Sequence, residues 1–285
     1  MPRWWHDEPG RRWLQSLPDL AAMQCQQWQL EIDGHPWHGT NALVLPVRRN
    51  VDRFALRLAP PGDDIRAQVA ALRFWAGRGT VTLLEVDTEA RAMLLERLDG
   101  SRSLLHESLA DALPILGRQM LSLAVPNPPA DVDSTAEIAA GYAVTFRDEW
   151  ESTGKPISRH PLDVALQSAG RLAAGEPADV AVNGDLHYAQ VLAGMHTRWV
   201  VVDPVLLRGD IEFDLGRILW TRLDELEDDS AIRHAFGTVT AAANVPEDRA
   251  RDWVIARSMS YLLWGLQQGL TDDPPKCQRI LRVFG

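Results

Sequence analysis

The stretch Asn183-Gly184-Asp185-Leu186-His187-Tyr188-Ala189-Gln190 decides the fold, together with Val191-Leu192, Ala193-Gly194 and Trp199-Val200-Val201-Val202-Asp203-Pro204. It places an Asp five residues before an amide side chain. An apolar strand, a turn and a second apolar strand then deliver another Asp. A hairpin of this length predicts that Asp185 and Asp203 emerge at the same end of a sheet. Two carboxylates and the amide oxygen of Gln190 there suit hard, oxygen-seeking Mg2+. Taken singly, Gly184-Asp185 and Asp203-Pro204 are ordinary turn dipeptides. The ordered set, in its surroundings, gives them a chemical reading.

Upstream, the spacing of Trp13, Leu14, Leu17, Leu20, Ala21 and Met23 predicts a helix over residues 4–32, interrupted at Pro18. The period then changes. Residues 41–47 and 53–58 are short apolar runs separated by Arg48-Arg49-Asn50-Val51-Asp52, a hairpin signal. Pro60-Pro61-Gly62 breaks the chain, and Asp63-Asp64 opens a helix to about Trp75 with acidic residues at its positive end. Residues 80–86 and 92–98 predict two further strands, so a mixed sheet is expected over 40–100. Downstream, helices are expected over 103–124, 134–150, 162–174, 214–226, 229–243 and 247–268, around one β-rich island at 180–205.

Length and composition are those of one large domain or two lobes: 285 residues, 46% hydrophobic and 24% charged. A net charge of -10, from 29 basic and 39 acidic residues, lacks the clustered basic face of a nucleic-acid binder. Cys25 and Cys277 have no metal-ligand spacing, and no apolar run approaches the length of a membrane span. A cytoplasmic protein with neither a nucleic-acid nor a membrane partner is expected. Only Lys155 and Lys276 are lysines.

In the kinase solution to phosphoryl transfer, an Asp and an amide five residues on share one loop, and a second Asp on the next hairpin takes the metal. The chain resembles the aminoglycoside and hydroxyurea phosphotransferase family over nearly its whole length. The resemblance rests on Pro9-Gly10-Arg11-Arg12-Trp13-Leu14, Ala71-Leu72-Arg73-Phe74-Trp75, Leu94-Leu95-Glu96-Arg97-Leu98, Gly184-Asp185-Leu186-His187, and Val202-Asp203-Pro204 through Gly209-Asp210 to Phe213-Asp214. It implies an α+β, protein-kinase-like, two-lobed fold. A small β-rich N-lobe at 1–98 would bind nucleotide, and a larger, mainly helical C-lobe at 99–285 would carry the catalytic hairpin and substrate pocket.

The same resemblance implies ATP and Mg2+ as cofactors and a small-molecule hydroxyl as substrate, of the aminoglycoside type or a related metabolite. It makes Asp185 the catalytic Asp and Asp203 the metal-binding Asp, with Gln190 as second metal ligand. Glu96, Arg97 and Leu98 would line the adenine edge, the segment after Gly39-Thr40 would cover the phosphates, and Asp214 would brace the catalytic loop. Four positions depart from the pattern. Asn183 replaces a His, Gln190 an Asn, Arg57 the phosphate-gripping Lys, and Gln68 the Glu that pairs with it. Arg57 keeps the charge but not the compact ammonium. The departures leave a second reading open: a degenerate kinase fold that binds a small molecule or partner without turnover. Trp253, Tyr261 and Trp264 mark a candidate substrate pocket, unless their helical spacing places them in the core. Asp224, Glu225, Glu227, Asp228 and Asp229 would meet a polyamine there, unless that run is a solvated helix end.

Overall fold

The computed structural model describes residues 4, 6, 8–39, 42–175, 179–195 and 199–285. In chain order, the N-terminal third contains α1 (Glu8–Gln27), β1 (Glu31–Ile32), β2 (Trp37–His38), β3 (Leu43–Arg49), β4 (Asp52–Leu58), α2 (Ile65–Trp75), β5 (Leu83–Asp87), β6 (Ala92–Glu96) and β7 (Leu98–Ser103). There follow α3 (Leu109–Leu123), α4 (Thr135–Ser152), α5 (Arg159–Ala174), β8 (Ala181–Asn183), β9 (Val191–Gly194), β10 (Trp199–Val201) and β11 (Leu206–Arg208). The C-terminal part contains α6 (Leu215–Thr221), α7 (Asp229–Ala243), α8 (Glu247–Gln267) and α9 (Asp273–Phe284). The chain forms two compact units, one of residues 1–103 and 192–203, the other of 104–191 and 204–285.

The first unit is built on a sheet ordered β1-β3-β4-β6-β5, with β2 also on β3. Its pairings are antiparallel throughout, so the expected mixed sheet is not found. Short connections set this for β3–β4 and β5–β6: Asn50, at φ 57°, turns β3 directly into β4. Alternation along the strands divides the side chains between two layers. Val47, Leu56, Leu58 and Leu94 pack with Trp13, Leu17, Ala21 and Cys25 of α1. Ala55, Met93 and Leu95 pack with Ile65, Val69 and Leu72 of α2. The Asp64 carboxylate accepts the Ala67 N–H and caps α2.

A second, three-stranded sheet, β10-β9-β7, brings residues 192–203 into this unit. Leu98 pairs with Gly194 and Asp99 with Ala193, while Val81 N–H donates to the Val201 carbonyl. The β island of the sequence is therefore shared between the units. In the second unit, β8 pairs with β11 in a separate two-stranded ladder, Asn183 opposite Leu206. Around it α4 packs on α5, α3 on α7, and α8 on both α5 and α9. Leu172, Val182, Leu207, Phe213 and Trp253 share one core.

Several boundaries differ from the sequence reading. The first helix ends at Gln27, where Gln29 takes a left-handed conformation. The helix expected from 103 starts at Leu109, because residues 98–103 form β7 and Ser108 provides the cap. α6 stops at Thr221 rather than 226. α9 was not anticipated. Among the described residues, no helix is long and apolar enough to cross a membrane.

Candidate active site

Gly184 and Asp185 follow β8 directly. A Cβ on Gly184 would lie 2.5 Å from Leu207 Cδ1, so a side chain there would push Leu207 of β11 aside. The loop is held from beneath by Asp214, fully buried, whose carboxylate accepts the Leu186 N–H at 3.1 Å. Burial pushes the Asp214 carboxyl well above the usual range, against the opposing charge of Arg257. The expected bracing role is what this geometry provides.

Asp185 itself is 41% exposed, as a group that meets solutes must be. Its Oδ1 lies 3.3 Å from Arg217 Nε, and its Oδ2 accepts from Gln190 Nε2 at 3.1 Å. His187 Nε2 approaches within 3.9 Å, which is no ion pair. Burial, and then the charge of Arg217, lower the imidazole to about 4, so His187 is neutral near pH 7. Its Nδ1 accepts the Ala189 N–H. Arg217 lies against the rings of Tyr261 and Trp220, 5.4 and 5.8 Å from their centroids.

In the first unit, a cavity of about 110 Å³ is walled by Val44, Ala55, Val81, Leu95, Leu192 and Val202. Glu96, Arg97 and Leu98 line it, and so do Arg57 and Asp203. Arg57 is 2% exposed and its Nε lies 2.9 Å from Asp203 Oδ1. Its Nη1 is buried with no hydrogen-bond partner. Asp203 is 46% exposed and adopts a left-handed φ of 50°. Trp37 also lines the cavity, with the Arg97 guanidinium 5.2 Å from its ring centroid. Sequence reasoning missed Trp37, because a two-residue strand carries no periodicity.

Gln68 is not among the residues lining this cavity; it sits half-buried on α2 with its Oε1 unpartnered. The Gly39-Thr40 segment expected over the phosphates runs into Thr40 and Asn41, outside the described residues. Trp253 is core, donating to Asp210 and packed on Phe213. Of the acidic run, Asp224 pairs with Lys276, Glu225 with Arg222 and Asp229 with Arg279, while Asp228 caps α7. Internal bonds thus engage four of those five residues.

Residues 27–269 match the family described as aminoglycoside/hydroxyurea antibiotic resistance kinase. The chain belongs to this family. It is 36% identical over 275 residues to streptomycin 6-kinase of Streptomyces griseus, covering 94% of this chain and 89% of that one. It is 32% identical over 281 residues to hydroxyurea phosphotransferase of Kitasatospora aureofaciens, covering 96% and 81%. Among solved structures, aminoglycoside phosphotransferase APH(4)-Ia in ternary complex with AMP-PNP and hygromycin B superposes with a TM-score of 0.65. That match has 14% identity and covers 92% of this chain and 97% of that one. Choline kinase LicA from Streptococcus pneumoniae gives 0.61 at 11% identity, covering 94% and 98%. This family member is a small-molecule kinase with the α+β, protein-kinase-like fold expected from its sequence.

Proposed function

We propose that this kinase transfers the γ-phosphoryl group of ATP to a hydroxyl of a small molecule, an aminoglycoside-type antibiotic or a related metabolite. Asp185 is the catalytic carboxylate. The observation that carries this is a half-exposed carboxylate on a loop braced by a fully buried one. In the reaction, the acceptor oxygen forms a bond to the γ-phosphorus while its proton passes to Asp185. The bond from that phosphorus to the bridging oxygen breaks, and ADP leaves with the electron pair. Holding Asp185 in place supplies the positioning on which this chemistry depends.

The nucleotide reading rests on the first unit. Its apolar walls and the Glu96–Leu98 edge suit a purine, and the orphaned Arg57 Nη1 suits a phosphate oxygen. The half-exposed carboxylate of Asp203 suits Mg2+, which with nucleotides needs only one or two protein carboxylates. Bound there, the metal would offset charge on the phosphates. Among the described residues, no group of three acidic, His or Cys side chains forms a metal site by itself.

The test is ATP consumption over aminoglycosides, hydroxyurea, nucleosides and sugars, for wild type and Asp185→Asn. The variant is expected to lose about 10²–10⁴-fold in turnover while retaining ATP binding. Full turnover in Asp185→Asn would remove Asp185 from its role. Nucleotide binding without turnover on any acceptor would favour the degenerate-kinase reading.

A further inference from the structure

The two departures Asn183 and Gln190 are joined in space. Val205 N–H donates to Asn183 Oδ1 at 2.9 Å. Asn183 Nδ2 donates to Gln190 Oε1 at 3.5 Å, and Gln190 Nε2 donates to Asp185 Oδ2 at 3.1 Å. The side chains are buried, Asn183 at 2% and Gln190 at 9% exposure, so their polar atoms need partners.

The direction of this chain of amides is set at its ends. A backbone N–H is only a donor and a carboxylate only an acceptor, so the assignment of oxygen and nitrogen follows from the network. Val205 fixes Asn183 with its oxygen toward the backbone and its nitrogen toward Gln190. That fixes Gln190 with its oxygen toward Asn183 and its nitrogen toward Asp185. Turning Gln190 over would set two donors against each other at Asn183 and two acceptors at Asp185.

We propose that Gln190 is a positioning residue for Asp185, oriented by Asn183, and that it does not ligate the metal. A metal ligand must turn its oxygen to the ion, and here the oxygen faces Asn183 while the nitrogen faces the Asp185 carboxylate. Arg217 meets Oδ1 of Asp185 while Gln190 meets Oδ2, so both oxygens are held. The proposal rests on the reading of Asp185 as catalytic and revises the expected ligand set, leaving Asp203 as the metal-binding side chain.

The test uses the full chain and two readouts. The first is the NMR titration of the Asp185 carboxyl, assigned by its loss in Asp185→Asn, which requires neither nucleotide nor acceptor. Gln190→Met, of similar length without the amide, is expected to move the midpoint up by about half a pH unit or more, because a donor to the charged form is lost. Asn183→Leu is expected to move it the same way by less. It also serves as the second variant should Gln190→Met not fold. The second readout is binding of Mn2+·ADP by electron paramagnetic resonance, expected to stay within twofold of wild type in both variants. Weakening of tenfold or more in Gln190→Met, or an unmoved Asp185 midpoint in both variants, overturns the proposal. Failure of Asp185→Asn to reduce turnover would sink the catalytic reading and leave the amide relay to be judged by the titration.

Discussion

His187 shows how a residue beside Asp185 acts through its environment. Its ordinary value is 6.5 and the folded protein lowers it to about 4, by burial first and Arg217 second. Below about pH 6.5 the unfolded chain takes up a proton that the folded chain refuses until about pH 4. Stability tied to neutral His187 is therefore complete above 6.5 and lost as pH falls toward 4, about 3 kcal/mol in all. His187→Asn, which keeps an acceptor for Ala189 N–H, should remove this dependence. The gap in unfolding free energy between wild type and variant should shrink between pH 7 and 4.5 in urea titrations. Parallel curves would show that the imidazole titrates normally. At this scale, residue type and spacing singled out Asp185 and Asp203 as candidates, and the family resemblance added Arg57. The Asn183–Gln190 contact was not legible, because seven residues of separation across a turn do not say which amide atoms meet.

At the scale of elements, close approach constrains composition as strongly as hydrophobic period does. Gly117 of α3 faces α7, and an added Cβ would lie 2.6 Å from both the Val239 carbonyl oxygen and Ala242 Cβ. A backbone oxygen inside a helix cannot step aside, so Gly117→Ala should force the helices apart and cost about 1–3 kcal/mol. Urea denaturation would measure this, and a neutral or stabilising result would mean that α3 and α7 yield freely. The long helices were legible because burial recurs at helical spacing, as for Trp13, Leu17 and Ala21. α9 was not, since Pro274-Pro275 reads as a break. Both prolines sit at its start, where the N–H groups have no intrahelical partner. β7 was hidden for the opposite reason: Asp99-Gly100-Ser101 lacks a strand's composition, and its pairing with β9 supplies the order.

For the whole molecule, the role proposed for the Arg57–Asp203 pair ties nucleotide binding to global stability. A ligand bound only by the folded protein stabilises it by about 2.7 kcal/mol at a hundredfold excess over Kd. In a chain of this size that corresponds to a rise in Tm of roughly 5 °C. AMP-PNP with Mg2+ should therefore raise the wild-type Tm by a few degrees. Asp203→Asn keeps the side chain's size but removes the carboxylate proposed for the metal. It should abolish the Mg2+-dependent part of the shift. Arg57→Met should abolish the shift altogether, because the buried donor proposed for a phosphate is gone and Asp203 loses its ion pair. Asp185→Asn should leave the shift intact, since its proposed role concerns the acceptor. Differential scanning calorimetry on the four proteins separates these outcomes. An unchanged shift in Arg57→Met would mean that arginine at the lysine position is a structural ion-pair partner and that the phosphates are held by other groups.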